Sequence, residues 1–397
     1  MQCELTTDRI LTLDIARFYA MALVFYGHFI ERVMYLHNAT AALQYKFIYS
    51  FHMVAFFVLA GYVAKESDLR TPFRSFLKHR FLSRLLPFIF FTLLFMIPPA
   101  FVSGEFYGLP LPSVKGYMTG LEDTAFGLPL FCVPSWFLMM IFSVELVHYA
   151  AFRYLKSDAK ILIGATCFYF VGYLLNWQIQ FFDPTKGRVV GWNYLFIHEA
   201  ITMYAFYLGG IYMRHKGFFM KKVPAKIWAP AIAAAFLLVL FTYKLNTGHF
   251  TFAPLDAVVI MMASHGHFFW FPFTAIVGSL LLLFLASATP GQKTILWMGR
   301  NTLLLMCLNG IFYHYFNPRA AVWISHAFAV SPWTLTGIAV AVTAASMALC
   351  MPLMYLFNRY VPELVGKLNT RRGYRERDIK STCARGVSVC LKRSGNQ

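Results

Sequence analysis

Charge is scarce in this chain of 397 residues. Asp, Glu, Lys and Arg make up 13% of the sequence, compared with roughly 25% in a soluble globular protein. Hydrophobic residues reach 59%, and the mean hydropathy is +0.57. A soluble fold cannot bury so much apolar surface, whereas lipid solvates it. The composition therefore excludes a soluble enzyme and a disordered chain, and it predicts a protein that crosses the membrane many times.

Acidic residues are scarcer than basic ones, at 17 Asp and Glu against 35 Lys and Arg, which gives a net charge of +18. In a soluble protein this excess would suggest nucleic acid, but membrane proteins concentrate Lys and Arg in their cytoplasmic loops. With the N-terminus placed inside, 27 of the 35 basic residues fall in cytoplasmic segments and 7 in extracytoplasmic ones. The bias predicts two cytoplasmic termini, and no nucleic-acid partner is expected.

Patterns typical of disulfides and metal sites are missing. The seven cysteines are scattered, odd in number and in several cases placed within apolar runs, which argues against a disulfide framework. Neither a CxxC motif nor a Cys/His zinc spacing occurs, so no metal site is predicted. The first apolar run is not followed by a small-residue cleavage site, and it is interpreted as a retained helix.

Ten apolar segments have about the length of a membrane span. They lie at 10–30, 44–64, 85–103, 134–152, 161–177, 194–213, 227–243, 268–286, 295–316 and 332–357. Each is expected to be a helix, because backbone groups in lipid must be hydrogen-bonded internally. The predicted fold is all-α, with three regions: a short cytoplasmic N-terminus at 1–9, a transmembrane domain at 10–357 and a basic tail at 358–397. The tail is expected to be disordered near anionic lipid headgroups.

The first predicted helix carries ionisable residues, which are costly in a membrane and mark functional candidates. Arg17 and His28 are eleven residues apart, which is three helical turns plus about 20° and an axial distance of roughly 16 Å. They therefore share one helix face, and that face links the two sides of the membrane. Asp14 precedes Arg17 by three residues and is placed to pair with it.

His52 lies in the outer half of the second predicted helix, which runs in the opposite direction. We therefore expect His52 and His28 at a similar depth on adjacent helices. Two such histidines would supply a general base and its partner. The alternative is that each histidine bonds only a helix backbone or a neighbouring helix.

A basic elbow follows the second helix, and its cationic or ionisable members are Arg70, Arg74, Lys78, His79, Arg80 and Arg84. Topology accounts for most of them. Arg80 and Arg84 differ, because their i,i+4 spacing places both on one face of an entering helix. Two guanidinium groups so arranged suit a phosphate or pyrophosphate ligand.

Weaker signals come from other ionisable residues at membrane depth. Glu145 in the fourth span and Glu199 in the sixth either line an acceptor path or pair within the bundle. His265 and His267 lack a neighbouring carboxylate or cysteine, so a two-histidine metal site is not predicted. Ser264 and His265 are not interpreted as a catalytic triad, because no orienting acid is evident in the sequence.

Several of these motifs occur in the order found in one family, and the chain resembles the membrane acyltransferase-3 family. The matching residues are Leu13, Asp14, Arg17, His28, the Phe51-His52-Met53 to Gly61-Tyr62 segment, Arg84 with Pro87, Trp136-Phe137-Leu138, Leu208-Gly209 and Gly299-Arg300-Asn301-Thr302-Leu303. The resemblance runs from residue 13 to about 310. Three positions differ from the usual pattern. They are Ala60 for a serine, a spacing of four rather than three between the paired arginines, and Asn309 for a histidine.

The resemblance implies a membrane-bound O-acyltransferase of the inner membrane. Such proteins transfer an acyl group, usually acetyl, from cytoplasmic acyl-CoA to hydroxyls of a glycan or lipid-linked saccharide. His28 would be the essential histidine and general base, with Arg17 and His52 as its catalytic companions. The donor phosphates would be held by Arg80, Arg84 and Lys78. The remaining candidate site residues are Asp14, Glu145, Glu199, Trp136 and Asn301.

Acyl-CoA is expected as a donor substrate, and no permanently bound cofactor is expected. The rival interpretation is a transporter or flippase for a polar or anionic solute that uses the same buried charges. The sequence shows no internal repeat, which weakens the usual transporter architecture of two related halves. The ordered motifs favour the enzyme.

Overall fold

The structure is a computed structural model that describes residues 2–178, 182–183, 188–189, 194–219, 224–252, 255–327 and 331–368. The α-helices are α1 (Gln2–Met34), α2 (Ala39–Tyr49), α3 (His52–Val63), α4 (Phe73–Arg80), α5 (Leu86–Phe95), α6 (Val114–Ala125), α7 (Trp136–Ala151), α8 (Asp158–Gln178), α9 (Ile197–His215), α10 (Ala225–Leu245), α11 (Trp270–Ala288), α12 (Lys293–Arg300), α13 (Thr302–Ile311), α14 (Asn317–Ala327) and α15 (Pro332–Tyr360). Two short strands, β1 (Phe182–Asp183) and β2 (Arg188–Val189), pair antiparallel. The predicted disordered tail falls largely on 369–397, which lie outside the described residues.

The all-α membrane architecture is confirmed. Within the described residues, eight helices are long and apolar enough to cross a membrane, and nine if α12 and the helix after it count as one bent span. Helix α9 is not among them, although it is 19 residues long. Most of its residues are buried against α3, α7 and α8, so protein rather than lipid surrounds its polar groups. Each of the ten predicted segments corresponds to a helix or a broken pair of helices.

Helix α1 is the centre of the bundle. It packs against α2, α3, α11, α12, α13, α14 and α15. Its 33 residues give a length of about 50 Å at 1.5 Å per residue. The helix begins at Gln2, so it includes most of the residues that the sequence analysis assigned to a short N-terminal segment. We call the membrane face at which α1 begins the N-terminal face.

The second predicted helix is not continuous, which corrects the sequence analysis. Helix α2 ends at Tyr49 and α3 begins at His52. At the break, the hydroxyl of Ser50 donates to the carbonyl of Phe47 at 2.6 Å, and Phe51 has non-helical backbone angles. The break places His52 in the first turn of α3 rather than in the middle of a helix.

Helices α3 and α9 approach closely through glycines. A Cβ atom at Gly61 would collide with the carbonyl of Tyr207, and one at Gly210 would collide with the carbonyl of Val58. Small residues allow such backbone contact between helices in a membrane. This contact fixes α3, and with it the depth of His52.

Two π-helical turns and one bend interrupt the other helices. The turns are Phe81–Leu85, between α4 and α5, and Phe312–Phe316, between α13 and α14. The bend of 80° lies at Asn301 between α12 and α13. Turns of the π type are rare and often occur at functional sites. Here the first turn contains Arg84, and the second contains Tyr313 and His314.

The topology predicted from the charge bias is open to direct measurement. A reporter fused after residue 397 should be cytoplasmic, and one inserted near Gly104 should be extracytoplasmic. The reason is that most Lys and Arg residues lie at the N-terminal face of the bundle, and such residues concentrate in the cytoplasm. Protease protection or a paired fluorescent and phosphatase reporter would distinguish the two faces. An inverted result at either position would contradict the assignment of the N-terminal face to the cytoplasm.

Candidate active site

Two cavities of about 530 Å³ each lie in sequence along α1. The basic cavity is nearer the N-terminal face, and its charged lining residues are Arg17, Lys65, Asp68, Arg80, Arg84, Glu145, Arg300 and Lys367. The aromatic cavity is nearer the opposite face, and its lining includes His28, Glu31, Tyr35, Tyr45, Tyr49, His52, Tyr107, Trp136 and Tyr313. Helices α1, α3 and α7 contribute to both. The same three helices therefore position both groups of polar residues.

The basic cavity is built on the first helix around Asp14. Its Oδ1 atom lies 3.4 Å from Nη1 of Arg17, as the spacing predicted, and its Oδ2 atom lies 2.7 Å from Nε of Arg300. Arg300 reaches this position because α12 packs directly on α1, where a Cβ atom at Gly299 would collide with the carbonyl of Asp14. One buried carboxylate thus orients two guanidinium groups at the cavity wall.

The elbow arginines converge on Glu145 of α7. Oε1 of Glu145 lies 3.0 Å from Nη2 of Arg84 and 3.5 Å from Nη1 of Arg80. Arg80 also bonds Oδ2 of Asp68 at 2.7 Å. Its Nε atom is buried and has no hydrogen-bond partner among the described residues. The acids hold the arginines in place, and the Nε donor of Arg80 is buried within the cavity wall.

The lysines of this region differ in position. Lys65 and Lys367 line the basic cavity, whereas the side chain of Lys78 is exposed on α4. Asn301, at the bend between α12 and α13, accepts a hydrogen bond from Nζ of Lys367 at 2.7 Å. Its Oδ1 atom also accepts from Nδ2 of Asn358 at 2.9 Å. Asn301 therefore joins the bend to the C-terminal part of the chain.

His28 lies in the aromatic cavity and is buried, with 8% of its surface exposed. Its ring packs edge-on against the ring of Tyr313 at a centroid distance of 4.8 Å. Nδ1 of His28 has no hydrogen-bond partner among the described residues, and neither has the buried amide of Asn309 on α13. Buried polar groups are nearly always satisfied. The two side chains are neighbours. The ring of His28 lines the cavity, while its Nδ1 atom is buried within the wall.

His52 lines the same cavity, as the predicted common depth required. Its Nδ1 atom lies 2.9 Å from the carbonyl of Ile48. A carbonyl can only accept, so Nδ1 carries the proton and, in the neutral ring, Nε2 keeps its lone pair. The ring of Tyr49 packs edge-on against the imidazole at 4.7 Å. The helix break between α2 and α3 thus sets both the position and the tautomer of His52.

Comparison with known proteins places this architecture in a family. The acyltransferase-3 family model, which describes an acyltransferase domain, matches residues 10–355. The chain belongs to the acyltransferase-3 family. A curated relative, nodulation protein NolL of Mesorhizobium japonicum, is 28% identical over 125 residues, which are 31% of this chain and 32% of NolL. The match therefore spans about a third of that relative's length. No solved structure matches the chain.

Several of the acyltransferase-3 motifs noted in the sequence line the two cavities, whereas Leu208-Gly209 lines neither. Trp136 begins α7 and lines the aromatic cavity, whereas Phe137, the next residue, lines the basic cavity. The lining also passes from one cavity to the other along α3, where Met53 lines the aromatic cavity and Phe56 lines the basic cavity. The rings of Phe56 and Phe137 lie 5.5 Å apart. The two cavities thus adjoin at α3 and α7, the helices that carry these motifs.

Glu31 is a cavity residue that the sequence analysis missed. It lies one turn beyond His28 on α1 and is buried. Its Oε1 atom accepts from the hydroxyls of Tyr313 at 2.9 Å and Tyr35 at 3.2 Å, and its Oε2 atom accepts from Tyr49 at 3.4 Å. An acid at i+3 from a candidate histidine within an apolar run is a signal that could have identified it.

Tyr313 joins Glu31 to the rest of this wall. Its hydroxyl also bonds that of Tyr107, and the guanidinium of Arg32 lies 4.5 Å from its ring centroid. Burial and the nearby carboxylate of Glu31 raise the pKa of the Tyr107 phenol above its ordinary value. Tyr107 therefore stays neutral and can donate a hydrogen bond at any physiological pH.

Glu199 lies outside both cavities and forms a separate buried pair. Its Oε1 atom bonds Nε2 of His265 at 2.7 Å, and its Oε2 atom accepts from Nδ2 of Asn176 at 2.5 Å. No acid near His265 was evident in the sequence, because Glu199 lies 66 positions away along the chain. The structure corrects this expectation. Across the described residues, no cluster of three or more His, Cys, Asp or Glu side chains is arranged to hold a metal ion.

Proposed function

We propose that the protein is an O-acyltransferase that moves an acyl group, most simply acetyl, from acyl-CoA to a hydroxyl of a glycan or lipid-linked saccharide. The observation that carries the proposal is the pair of adjoining cavities, which lie one after the other along α1. The basic cavity would take the donor on the cytoplasmic face of the inner membrane. The aromatic cavity would take the acceptor from the opposite side.

The charge of the basic cavity supports an anionic donor. Its lining contains four arginines and two lysines but two carboxylates, Asp68 and Glu145. Coenzyme A carries a diphosphate and a ribose phosphate, and guanidinium groups bind phosphate oxygens in a bidentate manner. Arg17 and His28 are about 16 Å apart along α1. An extended pantetheine arm can cover this distance and bring the thioester from the basic cavity to His28.

The chemistry of the aromatic cavity supports a saccharide acceptor. A sugar ring has apolar C–H faces, which pack on aromatic rings, and hydroxyls at its edge, which bond polar groups. Trp136 and several tyrosines provide the first kind of surface, while Glu31, Lys115 and Asp123 provide the second. These groups line the same cavity as the imidazole of His28. An acceptor hydroxyl placed there would meet a base.

The proposed reaction uses His28 as a general base. Neutral His28 takes the proton of the acceptor hydroxyl while that oxygen attacks the thioester carbonyl carbon. The carbon–sulfur bond breaks, and the thiolate of coenzyme A leaves and takes up the proton that His28 accepted, so an ester and free coenzyme A are formed and His28 is neutral again. His52, with its fixed tautomer, would orient or assist the base. Arg17 would stabilise negative charge on the donor side.

A deletion strain tests the proposal in the cell. Loss of the protein should remove O-acyl signals from the NMR spectrum of a surface or extracytoplasmic glycan, and expression of the gene in trans should restore them. The position of the lost signal would identify the sugar and the acyl group. An unchanged set of O-acyl groups in every glycan fraction, with active protein in the parent strain, would contradict the proposal.

Replacement of Glu31 with Gln tests the acceptor side. We expect transfer to fall at least about tenfold, because hydrogen bonds to a charged group contribute roughly 1.5–3 kcal/mol and three tyrosines share this carboxylate. The affinity for acyl-CoA should not change, because the donor occupies the other cavity. The measurement is the KM for acceptor alongside the Kd for acyl-CoA, with the exposed Glu105→Gln as control. Full transfer activity in Glu31→Gln would exclude a role in acceptor binding.

A further inference from the structure

The chain continues beyond α15 as a short folded segment, residues 361–368, which we call the C-terminal strap. The strap is a series of tight turns in which the amide of Leu364 donates to the carbonyl of Val361 and the amide of Lys367 to that of Pro362. Val365 is buried, with 3% of its surface exposed. These contacts hold the strap in one conformation against the bundle.

The strap lies between the two interrupted helices of the basic cavity. Gly366 has a φ of +80°, and a Cβ atom there would lie 2.9 Å from the carbonyl of Ser83, 3.4 Å from Pro87 and 3.5 Å from Leu303. Ser83 belongs to the π-helical turn that contains Arg84. Leu303 lies in the first turn of α13, the helix that follows the bend at Asn301. Only a residue without a side chain fits this position.

Lys367 brings a cation from the strap to the donor site. Its side chain lines the basic cavity together with Arg80, Arg84 and Arg300, and its Nζ atom donates to Asn301 at 2.7 Å. Partial burial lowers the pKa of its amino group from the ordinary lysine value. An anion beside it would offset this loss of solvation.

We propose that the C-terminal strap completes the basic cavity and that Lys367 binds a phosphate of the acyl donor. This inference rests on the proposed function. The family match ends at residue 355, so the strap lies beyond the matched residues. One of the six cationic side chains of the cavity would therefore come from a segment beyond the matched residues.

Lys367→Gln tests the strap. In purified full-length protein in nanodiscs, we expect the Kd for acetyl-CoA to rise about tenfold, in line with one charge-assisted hydrogen bond. The KM for acetyl-CoA should rise with it while kcat stays nearly constant, because Lys367 is far from His28. Lys367→Arg should keep most of the affinity. Arg359→Gln is the matched control, since Arg359 is exposed on the last turn of α15.

Gly366→Ala provides an independent test by displacing the strap without changing its charge. It should weaken binding to a similar degree, because the new methyl group would press on the Ser83 carbonyl at a positive φ. An unchanged Kd in Lys367→Gln would overturn the role of the strap and leave the proposed function standing. If the parent protein itself binds no acetyl-CoA, the proposed function fails and the inference fails with it.

Discussion

His28→Gln is expected to abolish acyl transfer while acyl-CoA still binds. Glutamine retains much of the size of histidine and a hydrogen-bonding group, but it cannot accept the proton of the acceptor hydroxyl. A general base contributes typically 10²–10⁴-fold to the rate, so the loss should be visible in any assay for the ester product. The Kd for acyl-CoA should remain close to the parent value, because Arg17 of the proposed donor cavity lies about 16 Å away along α1.

Further variants separate catalysis by His28 from a structural role. His28→Ala should be as inactive as His28→Gln. His52→Ala should lose activity less completely, because the role proposed for His52 is only to orient or assist the base. His326→Gln is the matched control, since His326 is exposed on α14. Retention of more than about a tenth of the parent transfer rate in His28→Gln would fall outside the 10²–10⁴-fold range and would assign the residue to packing against Tyr313.

The double variant Arg80→Gln with Arg84→Gln is expected to weaken acyl-CoA binding well over tenfold. Each guanidinium lost would remove charge-assisted bonds of roughly 1.5–3 kcal/mol to phosphate. The variant also leaves Glu145 without its two partners in the cavity wall, which adds a negative charge where the donor must bind. Equilibrium binding of acetyl-CoA to the purified protein gives the effect directly.

Arg153→Gln with Lys156→Gln is the charge-matched control for this double variant. Both residues are exposed just beyond α7, on the same membrane face, and their loss should leave the Kd unchanged. Equal binding by the double arginine variant and the parent would show that Arg80 and Arg84 serve topology and packing alone. Insertion and thermal stability should be measured for both pairs, because Glu145 is buried.

The sequence predicted those structural features that depend only on residues close together in the chain. Helical periodicity placed Arg17 and His28 on one face of α1, and the i−3 spacing predicted the pair between Asp14 and Arg17 that the structure contains. Apolar length identified the membrane helices. The common depth of His28 and His52 followed from the alternating direction of consecutive spans, and both residues line the aromatic cavity.

Features that depend on distant partners could not be predicted in the same way. Glu145 bonds Arg84, which is 61 positions away in the sequence, and His265 bonds Glu199, which is 66 positions away. Nothing in the local sequence pattern specifies either partner. The break before His52 was not predicted either, although it lies at Ser50, whose hydroxyl bonds the carbonyl of Phe47. Glu31 was missed for a different reason, since its position beside His28 was readable from the helical repeat.

The central claim is that acyl groups pass from a donor on the N-terminal face to an acceptor on the opposite face. The direct measurement uses inside-out membrane vesicles from the source cells, which expose the cytoplasmic face and enclose the native glycan acceptors. Acetyl-CoA labelled in its acetyl group is supplied outside. The account predicts label in alkali-labile esters of the enclosed glycan with the parent protein and background label with His28→Gln. Equal labelling in the two vesicle preparations, or none in either, would contradict it.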